Sequence, residues 1–151
     1  MSSLRILSLV LVSILFSAAA KADDRDDVLA ANKAFAAAFS TRKIESMDPL
    51  WAHDGGVTII HPRSKAVLLG WDAVRSSWVE GFSRAIEASL TMDNPAVSVT
   101  NNVGWVVGIE KVHGRLPNGE VLDSSLLATN VYEKRDGHWL MVHHHGSRMP
   151  Q

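Results

Sequence analysis

The sequence predicts an α+β fold in which about three helices from the first half pack against a curved antiparallel sheet. Apolar residues recur at helical spacing in the first half of the chain, whereas after Ser89 they alternate or are interrupted by turns. Helices followed by hairpin-connected strands are typical of a sheet that carries its helices on one face. The expected hairpin turns contain residues that tolerate positive φ: Asn101-Asn102, Pro117-Asn118-Gly119 and Asp136-Gly137.

Three helical segments are expected. The first covers Val28 to Phe39, where alanine is abundant, and follows the acidic run Asp23 to Asp27, which can cap it. A shorter helix is expected from Ile44 to Trp51, with Asp48-Pro49 as an interruption or a restart. The third runs from about Asp72 to Ile86, and its buried stripe at i, i+4 and i+8 consists of Val74, Trp78 and Phe82.

Six strands are expected. Two short ones, Val57 to His61 and Val67 to Leu69, follow the turn Asp54-Gly55-Gly56, and Pro62 stops the first of them. The second half of the chain contributes four more, at Ala96 to Thr100, Gly104 to His113, Val121 to Lys134 and His138 to His145.

The last of these strands is the most informative part of the chain. Strict alternation places Trp139, Met141, His143 and His145 on one face, and Leu140, Val142 and His144 on the other. A tryptophan and two imidazoles would then face the same space inside the curved sheet.

The N-terminus has the three parts of a secretory signal peptide. Arg5 precedes an apolar run from Ile6 to Phe16, and small residues lead to Ala20-Lys21-Ala22, an A-x-A-like cleavage site. The apolar run is shorter than the about 20 residues that span a bilayer as a helix. We therefore expect residues 1–22 to be removed, residues 23–151 to form one domain, and the product to be periplasmic or secreted without a membrane segment. An uncleaved anchor is the alternative.

The composition restricts the partners. The formal net charge is −1, and loss of Arg5 and Lys21 with the signal makes the remaining chain more acidic. Without a basic stripe to neutralise phosphates, nucleic acid is not an expected partner. The chain has no cysteine, so export would bring no disulfide framework.

Three segments in the first half resemble a known family: LWAHD at 50–54, VTIIHP at 57–62 and GWDAVRSSW at 70–78. They resemble the front half of SnoaL-like domains, which belong to the nuclear-transport-factor-like superfamily. The tail YEKRDGHWLMVHHHGS, at 132–147, resembles the end of that superfamily and is similar in particular to the association domain of calmodulin-dependent kinase II.

The resemblance implies a cone: a curved antiparallel sheet wrapped around three helices, with a pocket inside and frequent dimers through the sheet. It does not imply one chemistry, because the same cone serves ketosteroid isomerase, polyketide cyclases, dehydratases, limonene epoxide hydrolase and non-catalytic assembly domains. Asn130 stands where the kinase association domain has a pocket arginine. Tyr132, the single tyrosine, lies in the final hairpin and not on an early helix, which argues against the ketosteroid isomerase pattern.

Candidate proton-handling residues are imidazoles and one carboxyl, because such groups can transfer protons near neutral pH when their pKa is tuned. Each also has a structural interpretation, since an Asp before Gly-Gly is usually a turn former. Histidines at i, i+2 can chelate zinc or copper, yet no third ligand is fixed by spacing, so neither metal nor cofactor is expected. The candidates are His53, Asp54, His61, His143 and His145.

Five tryptophans favour an aromatic-lined pocket or a filled core. Trp51, Trp71 and Trp105 are the better pocket candidates, whereas Trp78 and Trp139 are expected to fill the space between helices and sheet. The expected pocket residues are Trp51, Trp71, Trp78, Trp105, Asn130, Tyr132 and Trp139. Glu110, in mid-strand, would be a candidate base if it pointed inward, but it is expected to point outward as a solvated or cross-strand-paired charge.

Three functions remain open from the sequence. The first is an exported domain that binds a small apolar or aromatic molecule and forms a homodimer through its sheet. The second is an acid–base enzyme of SnoaL-like type, such as an isomerase, dehydratase or cyclase. The third is a homo-oligomerisation module.

Overall fold

A computed structural model describes residues 24–149 of the 151-residue chain; the expected signal peptide at 1–22 lies outside this range. Within residues 24–149 the fold consists of three helices, a short 3-10 helix and six strands. The helical elements are α1 (24–41), α2 (Ile44–Met47), the 3-10 helix (Asp48–Leu50) and α3 (Trp71–Ser83). The strands are β1 (Thr58–Ile60), β2 (Leu68–Leu69), β3 (Glu87–Thr100), β4 (Val103–Arg115), β5 (Val121–Arg135) and β6 (His138–Arg148).

The six strands form one curved sheet in the order β2-β1-β6-β5-β4-β3, with the helices on its inner side. The α+β prediction is confirmed, and the sheet is open, with β2 and β3 at its edges. All neighbouring strands are antiparallel except β1 and β6, which pair in parallel. No helix within residues 24–149 is both long and apolar enough to cross a membrane.

Strand β3 begins earlier than expected, at Glu87 and not at Ala96. The sequence Asp93-Asn94-Pro95 suggests a turn, but these residues form an irregularity within a continuous strand. Asn94 takes a positive φ of 50°, and the register with β4 shifts between Asp93 and Ala96. A bulge of this kind bends a strand without ending it, so the turn-forming residues curve the sheet at this point.

The hydrophobic core lies between the helices and the inner face of the sheet. Helix α3 buries the expected stripe of Val74, Trp78 and Phe82. The Phe35 ring of α1 packs edge-on against Trp51 at 6.4 Å and Trp78 at 5.8 Å between centroids. The core is therefore largely aromatic, which confirms the expectation that Trp78 fills space between helices and sheet.

The two faces of the sheet can be assigned from the strand register, because directly paired residues share a face. The inner face carries Val106, paired with Asn130, which pairs in turn with His144. The outer face carries Trp105, paired with Val131, which pairs with His143.

The expected alternation along β6 is wrong. Met141 pairs with Tyr132 and His143 with Val131, so Val142 is an extra residue on β6 and forms a bulge. The bulge reverses the facing of every later residue. Trp139 and Met141 point inward as expected, but His144 takes the inner face, whereas His143 and His145 lie on the outer face.

Candidate functional site

Five polar side chains meet on the inner face although the surrounding core is apolar. We call them the interior polar cluster; all are at most 4% exposed. Helix α1 supplies one member, β4 one, β5 two and β6 one. The members are Asn32, Glu110, Asn130, Tyr132 and His144. A buried polar group is stable only when hydrogen bonds replace its contacts with water, so their mutual geometry determines the chemistry of the interior.

Asn130 is the centre of the cluster. Its Nδ2 donates to Asn32 Oδ1 at 2.8 Å and to Glu110 Oε1 at 3.2 Å. Asn32 Oδ1 also accepts from the Tyr132 hydroxyl at 3.0 Å. The remaining Asn130 atom, Oδ1, lies 2.6 Å from His144 Nδ1. Because Asn130 Oδ1 can only accept, neutral His144 must carry its proton on Nδ1, which leaves Nε2 as a bare acceptor.

Burial determines the charge states of the cluster. Desolvation raises the pKa of Glu110 to about 7, partly opposed by the hydrogen bond from Asn130. Desolvation also lowers the pKa of His144 to about 3 and raises that of Tyr132 well above 10.0. His144 Nδ1 and Glu110 Oε1 are 3.9 Å apart. With His144 neutral, this contact is not an ion pair at neutral pH, and the net charge of the cluster depends on Glu110.

Three buried tryptophans have indole donors without a partner among the described residues. Trp78 lies 5.8 Å from the His144 ring and 6.4 Å from Trp51, between centroids. The indole Nε1 atoms of Trp51 and Trp78 are buried and have no hydrogen-bond partner among the residues that the structure describes. The same is true of Trp139 Nε1. Such orphaned donors are rare in folded proteins and require an explanation.

His61 is the one expected proton-handling residue that lies beside the interior. Its Nε2 is 2.9 Å from Ser77 Oγ on α3, and its ring meets the edge of Trp78 at 5.1 Å. Desolvation lowers its pKa, partly opposed by the charge of Glu80. Trp78 thus contacts both His61 and His144.

His53 and Asp54 lie at the exposed corner before β1. His53 stacks on Trp71 at 4.5 Å between ring centroids, and its Nε2 is 2.7 Å from the Asp48 carbonyl oxygen. Asp54 Oδ1 accepts from the Gly56 backbone N–H at 2.7 Å, as a turn former does. A hydrogen bond from Arg135 lowers the pKa of Asp54. The structural interpretation of Asp54 fits these contacts, and a catalytic role for this pair stays a prediction.

The outer face holds the other two expected proton-handling residues. His143 Nδ1 is 2.7 Å from Thr58 Oγ1, and its ring centroid is 6.4 Å from that of His145. Burial and neighbouring His145 lower the pKa of His143. Both are separated by the sheet from the interior polar cluster, and Trp105 lies on the same outer face.

Open clefts on the surface of the described residues include two that are lined by no member of the cluster. The larger, about 700 Å³, lies between the start of α1, the 3-10 helix and the β5–β6 turn, and Trp139 and Leu140 contribute to its wall. The smaller, about 250 Å³, includes Lys111, His113 and Asp123. Within residues 24–149, no group of three or more His, Asp or Glu side chains is arranged to hold a metal ion.

Residues 28–151 match the sequence profile of the SnoaL-like domain. The chain belongs to this family. The SnoaL-like domain resembles a proposed dehydratase of the NTF2-like family from Streptomyces avermitilis, with a TM-score of 0.80 and 24% identity over 87% of this chain and 99% of that one. It also resembles a proposed calcium/calmodulin-dependent protein kinase type II association domain from Thiobacillus denitrificans, with a TM-score of 0.69 and 32% identity over 80% and 94% of the two chains.

The association domain of the Caenorhabditis elegans kinase has the same fold, with a TM-score of 0.67, 20% identity, and coverage of 85% and 98%. Both expected resemblances are therefore confirmed. A plant relative, the F-box protein SKIP8 of Arabidopsis thaliana, is 27% identical over 122 residues, which are 81% of this chain and 49% of that protein. The SnoaL-like domain spans about half the length of this curated relative.

The sequence reading missed three members of the interior polar cluster. Asn32 and His144 were not candidates, and the expected outward orientation of Glu110 is wrong because its side chain is 1% exposed. The signal for Glu110 was present: it is four residues from Val106, so both lie on one face of β4. For His144 no local signal existed, since the bulge at Val142 reverses the alternation.

Proposed function

We propose that this SnoaL-like domain binds a small apolar or aromatic molecule between its helices and its sheet. The observation that carries the proposal is a pair of buried indole N–H groups, those of Trp51 and Trp78, that have no hydrogen-bond partner among residues 24–149. The Trp78 ring lies 5.8 Å from that of His144, a member of the interior polar cluster. A buried donor without an acceptor destabilises a fold by about 1–3 kcal/mol. A guest with an acceptor atom would satisfy these donors.

The surroundings have the composition of a ligand site. Small-molecule sites are mostly apolar and aromatic, with a few polar groups that fix orientation. Phe35, Trp51 and Trp78 supply aromatic surface, and Glu110 and His144 supply polar atoms. A guest would need the helices and the sheet to separate slightly, as happens in the minority of proteins whose elements rearrange on binding.

Matched tryptophan variants test this proposal. Aromatic fragments are screened by saturation-transfer NMR against the wild type, Trp78→Phe and Trp105→Phe. Both variants lose one indole N–H, but only Trp78 lies in the interior. We expect interior ligands to bind at least about fivefold more weakly to Trp78→Phe, the typical effect of one hydrogen bond, and unchanged to Trp105→Phe. The proposal is wrong if no fragment binds or if both variants bind equally well.

A second candidate function is acid–base catalysis, and the environment of Glu110 favours it. A carboxyl group with a pKa of about 7 can accept and return protons at neutral pH. Asn130 donates a neutral hydrogen bond to Glu110 Oε1, which holds the carboxyl group in place. The proposed dehydratase of Streptomyces avermitilis has the same fold, and catalysis of that type would assign the proton transfer to Glu110.

We also propose export. The composition of residues 1–22 supports cleavage after Ala22 and a periplasmic or secreted domain. Expression of the full chain in a bacterial host, fractionation and intact mass measurement test this: we expect a periplasmic product that begins at Asp23. Ala22→Leu is expected to retain the precursor, because signal cleavage requires a small residue there. A full-length protein in the cytoplasm would contradict export.

Homo-oligomerisation through the outer face of the sheet is the remaining proposal. The resemblance to association domains supports it, as do exposed apolar side chains on that face, Val107 at 42% and Leu127 at 49%. Light scattering of Val107→Glu and Val79→Glu tests it, since Val79 is 44% exposed on α3. We expect a wild-type dimer that only Val107→Glu dissociates; a monomeric wild type would contradict it.

A further inference from the structure

Two imidazoles lie side by side on the outer face of the sheet. His143 and His145 are two residues apart on β6, beyond the bulge at Val142, and both side chains are half-buried. Their ring centroids are 6.4 Å apart, and the ring planes are inclined by 67°. The residue between them, His144, takes the inner face. The two rings therefore occupy one small region of the surface that solvent can reach.

The hydroxyl group of Thr58 orients one of the two rings. Thr58, on β1, pairs directly with His143, and its Oγ1 lies 2.7 Å from His143 Nδ1. Because Nδ1 is engaged, Nε2 is the ring atom left for a ligand, and it has no hydrogen bond to another of the described residues. Histidines that bind metals usually have their second ring nitrogen hydrogen-bonded in this way, which sets the tautomer and the orientation of the ring.

The side chains around the pair carry no charge. The residues that pair directly with the two histidines are Thr58 and Ile60 on β1, and Val131 and Thr129 on β5. None of them would repel a cation, and none offers a carboxylate. Imidazole nitrogens suit Cu(II), Ni(II) and Zn(II), whereas Ca²⁺ and Mg²⁺ prefer oxygen ligands. The donor set therefore selects a transition metal.

The distance between the rings is close to that of a chelate. Imidazole nitrogens bind such metals at about 2.0–2.1 Å, so two rings that share one ion have centroids roughly 5–6 Å apart. The observed distance of 6.4 Å is slightly larger. Neither ring nitrogen of His145 has a hydrogen-bond partner among residues 24–149, so this side chain can rotate towards His143 without losing a hydrogen bond.

We infer that His143 and His145 form a two-imidazole site for one divalent transition-metal ion per chain. Cu(II) binds there more tightly than Zn(II), in the usual order of affinities, and Thr58 is the positioning residue. Water completes the coordination, because the described residues place no group of three His, Asp or Glu side chains together. The site lies across the sheet from the proposed small-molecule interior, and neither function depends on the other.

Calorimetric titration with CuSO₄ and ZnSO₄ at neutral pH tests the site. The wild type is compared with His143→Gln, His145→Gln and the control His138→Gln, an exposed residue at the start of β6. We expect one Cu(II) per chain, bound more tightly than Zn(II). Each variant of the pair should bind Cu(II) at least about tenfold more weakly, because a single imidazole loses the advantage of a second linked ligand. His138→Gln should bind like the wild type.

A matched pair of threonine variants tests the role of the hydroxyl group. Thr58→Val removes the group that holds His143, whereas Thr129→Val removes a hydroxyl that has no hydrogen bond to either imidazole. We expect Cu(II) affinity to fall at least about tenfold in Thr58→Val, as for other residues that orient metal ligands, and to stay unchanged in Thr129→Val. Far-ultraviolet circular dichroism confirms that each variant is folded.

Broadening of amide NMR signals by substoichiometric Cu(II) locates the ion, and we expect the signals of Thr58 and of residues 143–145 to broaden first. Earliest broadening around His113 or His138 would overturn the inference, as would wild-type affinity in both His143→Gln and His145→Gln. A ratio of one ion to two chains would overturn the single-chain site. Equal affinities of Thr58→Val and Thr129→Val would overturn the positioning role of Thr58.

Discussion

Replacing Glu110 by glutamine is expected to stabilise the protein at alkaline pH and to leave its stability unchanged in acid. In the unfolded chain this carboxyl titrates near the ordinary value of 4.5, but burial raises its pKa to about 7 in the folded protein. Between these two values the folded state holds a proton that the unfolded state has lost. The free energy of unfolding therefore falls as the pH rises through this window.

The size of the effect follows from the two values. Each unit of difference between the unfolded pKa of 4.5 and the folded pKa of about 7 corresponds to about 1.4 kcal/mol. Ionisation of Glu110 therefore lowers the free energy of unfolding by about 3 kcal/mol above about pH 8. Glutamine has nearly the same shape and keeps an acceptor for Asn130 without acquiring a charge. The difference between Glu110→Gln and the wild type should be near zero at pH 4 and about 3 kcal/mol at pH 8.5.

His144 produces an opposite dependence. Its pKa falls from 6.5 to about 3 on folding, so the unfolded state binds an extra proton between these values and stability is lost as the pH falls through them. In the wild type, the slopes of Glu110 and His144 oppose each other between pH 4.5 and 6.5. Glu110→Gln removes one of them, and the free energy of unfolding of the variant should rise with pH across this window.

Urea unfolding followed by tryptophan fluorescence, in half-unit steps from pH 4 to 8.5, measures the free energy of unfolding against pH for the wild type and for Glu110→Gln. Glu120→Gln is the control, because it removes the same charge from an exposed turn. Its free energy of unfolding should depend on pH in the same way as that of the wild type. A constant difference between Glu110→Gln and the wild type at all pH values would refute the assignment of Glu110 as a buried group that is neutral below pH 7.

Three further predictions concern stability and use the same urea assay. Asn130→Ala should lower the free energy of unfolding by about 2–4 kcal/mol, because it leaves several buried polar groups without their central partner. The control Asn102→Ala, at an exposed position, should change this free energy little. A decrease below about 1 kcal/mol for Asn130→Ala would contradict its central role. Tyr132→Phe should lower the free energy of unfolding by only about 1 kcal/mol, because Asn32 Oδ1 still accepts a hydrogen bond from Asn130. A decrease above about 3 kcal/mol would show a larger role for the hydroxyl group. Gly104→Ala should destabilise by about 1–3 kcal/mol, because its Cβ would lie 2.5 Å from Val28 Cγ2. Gly81→Ala on α3, with nothing within 4 Å, should instead stabilise by about 0.5–1 kcal/mol, and equal effects of the two substitutions would exclude the packing argument.

Much of the fold was predictable because its signals are local. The stripe Val74, Trp78 and Phe82 identifies α3 from spacing alone, and the turn at Asp136-Gly137 identifies the last hairpin from residues that tolerate positive φ. The error at the start of β3 has a local cause as well. Asp93-Asn94-Pro95 has turn chemistry, and only pairing with β4 on both sides turns it into a bulge.

The candidate site was predicted less well, because it depends on which face each strand residue takes. Asn130, Tyr132 and Trp78 were expected in the interior and are buried there. Glu110 was expected outside on its charge alone, although Val106, on the same face of β4, is fully buried. The sequence did not reveal the hydrogen-bond partner that allows this carboxyl group to be buried. That partner is Asn130, 20 residues further along the chain on β5, which donates to Glu110.

By itself, the sequence determined the order of helices and strands, the aromatic core and membership of the SnoaL-like family, because spacing, turn residues and family motifs act over short stretches of chain. Only the tertiary structure decided which of three consecutive histidines enters the interior. Tyr132 pairs with Met141 and its neighbour Val131 pairs with His143, so Val142 is an extra residue without a partner on β5. Strand register depends on contacts between segments that are distant in the sequence, so it cannot be read from local spacing. The single bulge at Val142 moves His143 and His145 to the outer face and brings the His144 imidazole to the inner face, beside Asn130 and Glu110.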